Sequence, residues 1–174
     1  AGKTAWVSES DLWAEGLRLA QDPASGTVVV EDGEVDAARA DAATQIDATY
    51  RTATALHFTL EPQNAVVEFN EDGQCHIFAG NQWQSLILPL LAQVLDIPET
   101  DIVIHQQYLG GGYGRRLFGD QMIPAALAAR ALGRPLKLIF DREKDSVFDC
   151  ARSPTVCTFT ATFDTAGALS GVDH

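Results

Sequence analysis

Cysteine is scarce in this chain and badly spaced for chemistry. Cys75, Cys150 and Cys157 contain no Cys-x-x-Cys pair, which excludes a zinc ribbon or an iron–sulfur motif within the sequence. Three thiols cannot all pair, so no disulfide framework is expected and each is read as a buried thiol. Histidine is equally thin. His57, His76, His105 and His174 are scattered without an HExxH or other paired spacing, so no histidine metal site is expected. Basic residues are outnumbered, 12 against 24 acidic ones for a net charge of −12. That argues against nucleic acid as a partner, because phosphate binding needs clustered Lys and Arg. No apolar run reaches the roughly 18 residues of a membrane-spanning helix. Ser153 lacks a G-x-S-x-G context, so a serine triad has no support. Residues 1–5 carry no signal-peptide pattern, and neither end reads as a natural terminus. The expectation is an excised segment of a longer protein.

What is present is ordinary globular composition. Apolar residues make up 46% and charged residues 21% of 174, enough to bury a core and too apolar for disorder. Ser10 to Ala20 has a helical pattern with Ser10 as its cap. Thr27 to Val30 reads as a short β-rich stretch and Glu34 to Ala43 as an alanine-dense helix. From Thr44 the period changes to two, with Ile46, Ala48 and Tyr50 alternating as in a half-buried strand. Ala65–Phe69 and Gln74–Ala79 flank Asn70-Glu71-Asp72-Gly73 as a hairpin. A helix with Leu86, Leu90, Leu91, Val94 and Leu95 on its apolar stripe follows. Pro89 belongs in a first turn, which places the helix start at Leu86–Leu88.

Ile102 to Gln106 reads as a strand, Asp120 to Leu132 as a helix stopped by Gly133, and Leu136–Phe140 as a strand. Asp141–Asp145 reads as a charged turn and Thr155–Phe163 as another strand. Strands and helices do not alternate strictly, so the fold class is α+β, with mixed sheets and flanking helices. We divide the chain into a lobe or linker at 1–44 and a domain at 45–174.

The densest signal is Leu109-Gly110-Gly111-Gly112-Tyr113-Gly114-Arg115-Arg116-Leu117, with four glycines in five positions and two adjacent arginines. Glycine permits positive φ and close backbone approach. Strand, glycine loop and helix can together aim N–H groups at an anion or an oxo group. The loop is not a P-loop, because the following lysine and Ser/Thr are missing. Nor does it match the dinucleotide fingerprint. Gly80-Asn81-Gln82 forms a second polar turn between strand and helix. Glu61, before Pro62, is read as a carboxylate holding backbone N–H groups, and His57 as a hydrogen-bonding core or turn residue.

The ordered series Tyr50-Arg51-Thr52, His57, Leu60-Glu61-Pro62, Gly80-Asn81-Gln82, Leu109 to Arg116, Gly133-Arg134-Pro135, Asp141-Arg142-Glu143 and Arg152-Ser153-Pro154 resembles a known family. It is similar to the molybdopterin-binding large subunit of the xanthine dehydrogenase/aldehyde oxidase family of molybdenum hydroxylases. The Arg-Arg-Leu ending looks most like the isoquinoline 1-oxidoreductase β-subunit branch, which includes exported bacterial aldehyde dehydrogenases. The match runs from about residue 34 to the end.

The resemblance implies a molybdopterin cofactor, including its cytosine dinucleotide form, and [2Fe–2S] clusters on a small partner subunit. It implies hydroxylation of an N-heteroaromatic or aldehyde substrate with water as oxygen source. Gln82 falls where the family places a glutamine that hydrogen-bonds the apical oxo ligand of molybdenum. Gly111, Gly112 and Tyr113 match the loop lying against the cofactor, and Tyr113 borders the substrate pocket. Leu117 falls where purine-oxidising members carry a glutamate, so a purine is disfavoured. The family's catalytic glutamate lies downstream of His174. No catalytic residue is therefore assigned here, and this segment alone is expected to be inactive. Two readings without the redox chemistry stay open: an anion- or nucleotide-binding module built on the glycine loop, and a structural segment of a larger complex.

Overall fold

A computed structural model describes residues 7–174, so the sequence pattern at 1–5 lies outside the described residues. The elements run α1 (Glu9–Ala20), α2 (Val35–Ala40), β1 (Thr44–Thr52), β2 (Asn64–Phe69), β3 (Cys75–Ala79), α3 (Gln84–Leu95), β4 (Ile102–Gln106), α4 (Met122–Leu132), β5 (Leu136–Ile139), α5 (Arg142–Val147), β6 (Thr155–Phe163) and β7 (Leu169–Asp173). Helices and mixed sheets thus occur together, as the α+β class requires. The chain forms two compact units, one from the described part of Ala1–Ala55 with Arg152–His174, the other from Leu56–Ala151.

The first unit is the antiparallel sheet β1-β6-β7, flanked by α1 and α2. The cap of α1 is Ser8, two residues earlier than the sequence suggests. Its hydroxyl accepts the Asp11 N–H while the Asp11 carboxylate accepts from Ser8 N, a reciprocal capping box that outcompetes the single hydroxyl of Ser10. Gly16 lets α1 approach β6, since a Cβ there would lie 2.9 Å from Val156 Cγ2. Thr27–Val30 forms no strand, and Val28, Val29 and Val30 are exposed. β propensity without a ladder partner does not make a strand.

The second unit is a four-stranded mixed sheet, β4-β3-β2-β5, with α3 and α4 on one face. β2 and β3 form the expected hairpin, and β3 runs parallel to β4 with α3 as the crossover. Alternate residues Ala65, Val67, Cys75, Ile77 and Ala79 meet the helices in the core. α3 begins at Gln84, before the expected start, and Pro89 lies inside it. Pro89 and Ser85 are both exposed, so the carbonyl left without its helical N–H is open to water. The stripe that packs into the core is Ile87, Leu91 and Leu95, and Leu86 and Leu90 are exposed. Gly133, with φ +61°, closes α4 as expected. Asp141–Asp145 is not a turn: Asp141 caps α5 by accepting the Lys144 N–H at 2.7 Å, a signal hidden by the density of charge around it. Of the three thiols only Cys75 is buried, whereas Cys150 is exposed and Cys157 intermediate.

Candidate functional site

Parallel pairing of β3 and β4 places their C-terminal ends side by side, Ala79 opposite Gln106. The chain leaves β3 through Gly80-Asn81-Gln82 and β4 through the glycine loop, so two turns far apart in sequence meet at one sheet edge. Open sheets with parallel strands use this edge for ligands.

The two turns are tied residue by residue. The backbone N–H of Gln82 donates to the Arg116 carbonyl at 3.0 Å, and Asn81 Nδ2 donates to the same oxygen at 2.6 Å. In return, Gly114 N–H and Arg116 N–H both donate to Gln82 Oε1, at 3.1 and 3.2 Å. Two donors on Oε1 fix the amide's orientation. Nε2 has no hydrogen-bond partner among the described residues. Gly112 lies against this amide, and a Cβ there would come 2.5 Å from Gln82 Oε1 and 2.7 Å from Cδ. A side chain at that position would have to displace the Gln82 amide. Tyr113 adopts φ +55°, is largely exposed and covers Gly111. Leu117 is half-buried in the short 3₁₀ turn Arg115–Leu117.

The glycine loop runs into that single 3₁₀ turn, and α4 starts at Met122, two residues after the expected Asp120, so the loop is not capped by a long helix dipole. The two arginines are not a surface clamp either, being 1% and 0% exposed. Arg116 Nη2 meets Glu61 Oε2 at 2.9 Å and the Glu61 carbonyl at 2.8 Å. Its Nε and Nη1 have no partner among the described residues but are fully buried, beyond reach of an anion in solution. Arg115 Nη1 lies 2.6 Å from the Asp145 carbonyl and 3.2 Å from Asp149 Oδ1. Both cations are part of the scaffold.

Glu61 binds backbone N–H, as the sequence suggested. Its Oε2 accepts from Gly110 N at 2.9 Å and its Oε1 from Asn64 Nδ2 at 2.9 Å. Burial pushes its pKa up, but Asn64, the Gly110 N–H and the Arg116 guanidinium together outweigh that and hold it below the ordinary glutamate value. The His57 side chain is 7% exposed and hydrogen-bonded through Nδ1 to Asp149 Oδ1 at 2.9 Å. Asp149 Oδ2 accepts the N–H groups of His57 and Phe58. Burial raises the Asp149 pKa, and His57, Phe58 N–H and Arg115 more than reverse it. His57, Asp149 and Cys150 bring ligand-type atoms within 4.8 Å of one another. The Asp149 oxygens are nevertheless occupied by donors, which leaves no lone pair suited to a cation. The role of Asp149 could not be read from sequence, because its partners His57 and Arg115 lie 92 and 34 positions away.

Comparison with known proteins gives the family. The profile of the molybdopterin cofactor-binding domain matches residues 20–174, and the chain belongs to that family. It is 46% identical over 174 residues, 99% of the chain, to a protein of Gluconacetobacter polyoxogenes named membrane-bound aldehyde dehydrogenase [pyrroloquinoline-quinone]. It is 33% identical over 102 residues, 59% of the chain and 13% of the relative, to isoquinoline 1-oxidoreductase subunit beta of Brevundimonas diminuta. Among solved structures, the aldehyde oxidoreductase of Desulfovibrio gigas superposes with TM-score 0.65 at 22% identity, covering 79% of this chain and 15% of that one. The chain spans 22% of the length of the Gluconacetobacter relative. No helix among the described residues is long and apolar enough to cross a membrane.

Proposed function

We propose that the intact protein is the large subunit of a molybdenum hydroxylase that oxidises an aldehyde or an N-heteroaromatic carbon, with water as the oxygen source. The observation that carries this reading is the Gln82 amide, whose oxygen is held against Gly112 by two loop N–H groups while its Nε2 keeps no hydrogen-bond partner among the described residues. A neutral amide beside the side-chain-free backbone of Gly112 fits a molybdopterin group. Gln82, Gly111, Gly112 and Tyr113 would hold it, and Tyr113 and Leu117 would border the substrate. When bound, the cofactor supplies a two-electron acceptor for oxidation of the substrate carbon. The chain's own residues position it and keep Gln82 from rotating. Within the chain, the proposed site lies in 45–174, and the leading part, 1–44, contributes α1 and α2 to the unit built on β1, β6 and β7. The cytosine dinucleotide form of the cofactor, and a small [2Fe–2S] subunit as electron acceptor, belong to the same proposal.

The name of the Gluconacetobacter relative supports an aldehyde as substrate and raises pyrroloquinoline quinone as a second cofactor. That quinone carries three carboxylates and calls for accessible cations. Arg115 and Arg116 are buried against carboxylates and carbonyls instead, which favours the molybdopterin reading. Replacing Gln82 by Ala in the full-length complex tests it. Turnover is expected to fall and molybdenum content to drop or its site to become labile. Wild-type values for both would overturn the assignment of Gln82.

A further inference from the structure

One oxygen of Glu61 touches both ends of the glycine loop. Oε2 lies 2.9 Å from the N–H of Gly110, where the loop begins, and 2.9 Å from Nη2 of Arg116, where it ends. The backbone repeats the tie, since Glu61 N–H donates to the Gly110 carbonyl at 3.1 Å and Arg116 Nη2 to the Glu61 carbonyl at 2.8 Å. Gly110 must be glycine for this contact, because a Cβ there would overlap the Glu61 side chain. Arg116 is also the residue whose backbone N–H and carbonyl grip Gln82. The Glu61 carboxylate is thus one residue removed from the Gln82 amide, through a guanidinium that is fully buried.

We infer that Glu61 and Arg116 are positioning residues for Gln82: their ion pair fixes the span of the glycine loop and thereby the direction in which the Gln82 amide donates. Without the pair, a loop rich in glycine has many accessible conformations and gives up the two N–H groups that orient Oε1. Asn64, on the second oxygen of Glu61, keeps the carboxylate from turning away. The consequence for function rests on the proposed cofactor role of Gln82, but the clamp itself does not.

The test uses the full-length protein with Glu61→Gln, which keeps the size of the side chain and removes its charge. Amide exchange across residues 110–117 is read by mass spectrometry beside that of α4 and the β2–β3 hairpin. The expected result is about tenfold faster exchange in the loop with α4 and the hairpin unchanged. Alongside it, kcat should fall about ten- to a hundredfold with KM little altered and metal content retained. Unchanged exchange in the loop overturns the clamp. Faster loop exchange with wild-type kcat keeps the clamp but removes its link to Gln82. If the wild-type protein holds no molybdenum, the cofactor reading fails while the exchange result still decides the clamp. Should Glu61→Gln not fold, Arg116→Lys keeps a cation but cannot hold carboxylate and carbonyl together. It should show the same loop-selective exchange, and protection equal to wild type there refutes the inference.

Discussion

Gln82 and Gly112 cannot be understood separately: a single methyl group on Gly112 would occupy the space of the Gln82 amide oxygen, 2.5 Å away. Gly112→Ala should therefore displace Gln82 and cost activity by about tenfold or more, since small misplacements at a reacting centre are expensive. The loop lies outside the core, so thermal unfolding should shift little. Comparing kcat with melting temperature separates the two effects.

Arg115 is almost wholly buried between Asp145 and Asp149, with Asp120 at 3.5 Å. Removing its charge strands carboxylates in a poorly solvated interior. Arg115→Met should destabilise the protein by about 3–5 kcal/mol, measured as a shift in the urea midpoint at constant slope.

The acid side of the stability profile should be steep. Glu61 and Asp149 both have folded-state pKa values below their ordinary ones. A depressed carboxylate contributes stability that is fully present above its unfolded pKa, about 3.9 for Asp and 4.3 for Glu, and is lost as pH falls through the lower folded value. Stability should thus decline below about pH 4. Asp149→Asn should flatten part of that decline, as seen in denaturant midpoints from pH 3 to 6 on the order of those values.

Much of this arrangement was legible in the sequence, and the failures have definite causes. The β2–β3 hairpin, β4, the Gly133 stop and the 155–163 strand follow from period and turn chemistry, which are local. The Glu61–Gly110 contact was anticipated in kind, as a carboxylate holding backbone N–H, but not in partner. Arg115 and Arg116 resisted reading altogether, because their meaning lies in Glu61, Asp145 and Asp149, which only tertiary structure brings near. The same holds for α3, where packing against the sheet decides that Ile87 is buried and Leu86 and Leu90 are not.

The thiols should differ sharply in reactivity. Burial pushes the Cys75 thiol up to about 11, with Arg130 only partly opposing it, whereas Cys150 is exposed. Thiolate is the reactive form, so a thiol reagent at neutral pH should label Cys150 rapidly and leave Cys75 untouched until the protein unfolds. Peptide mapping after timed labelling checks this.

The central claim is that Gln82 and the glycine loop form a wall of a molybdopterin site. Elemental analysis of the purified full-length protein tests it most directly. The account predicts molybdenum at near-stoichiometric occupancy, released together with a pterin on denaturation. Absence of molybdenum from active enzyme, with pyrroloquinoline quinone recovered in its place, would contradict it.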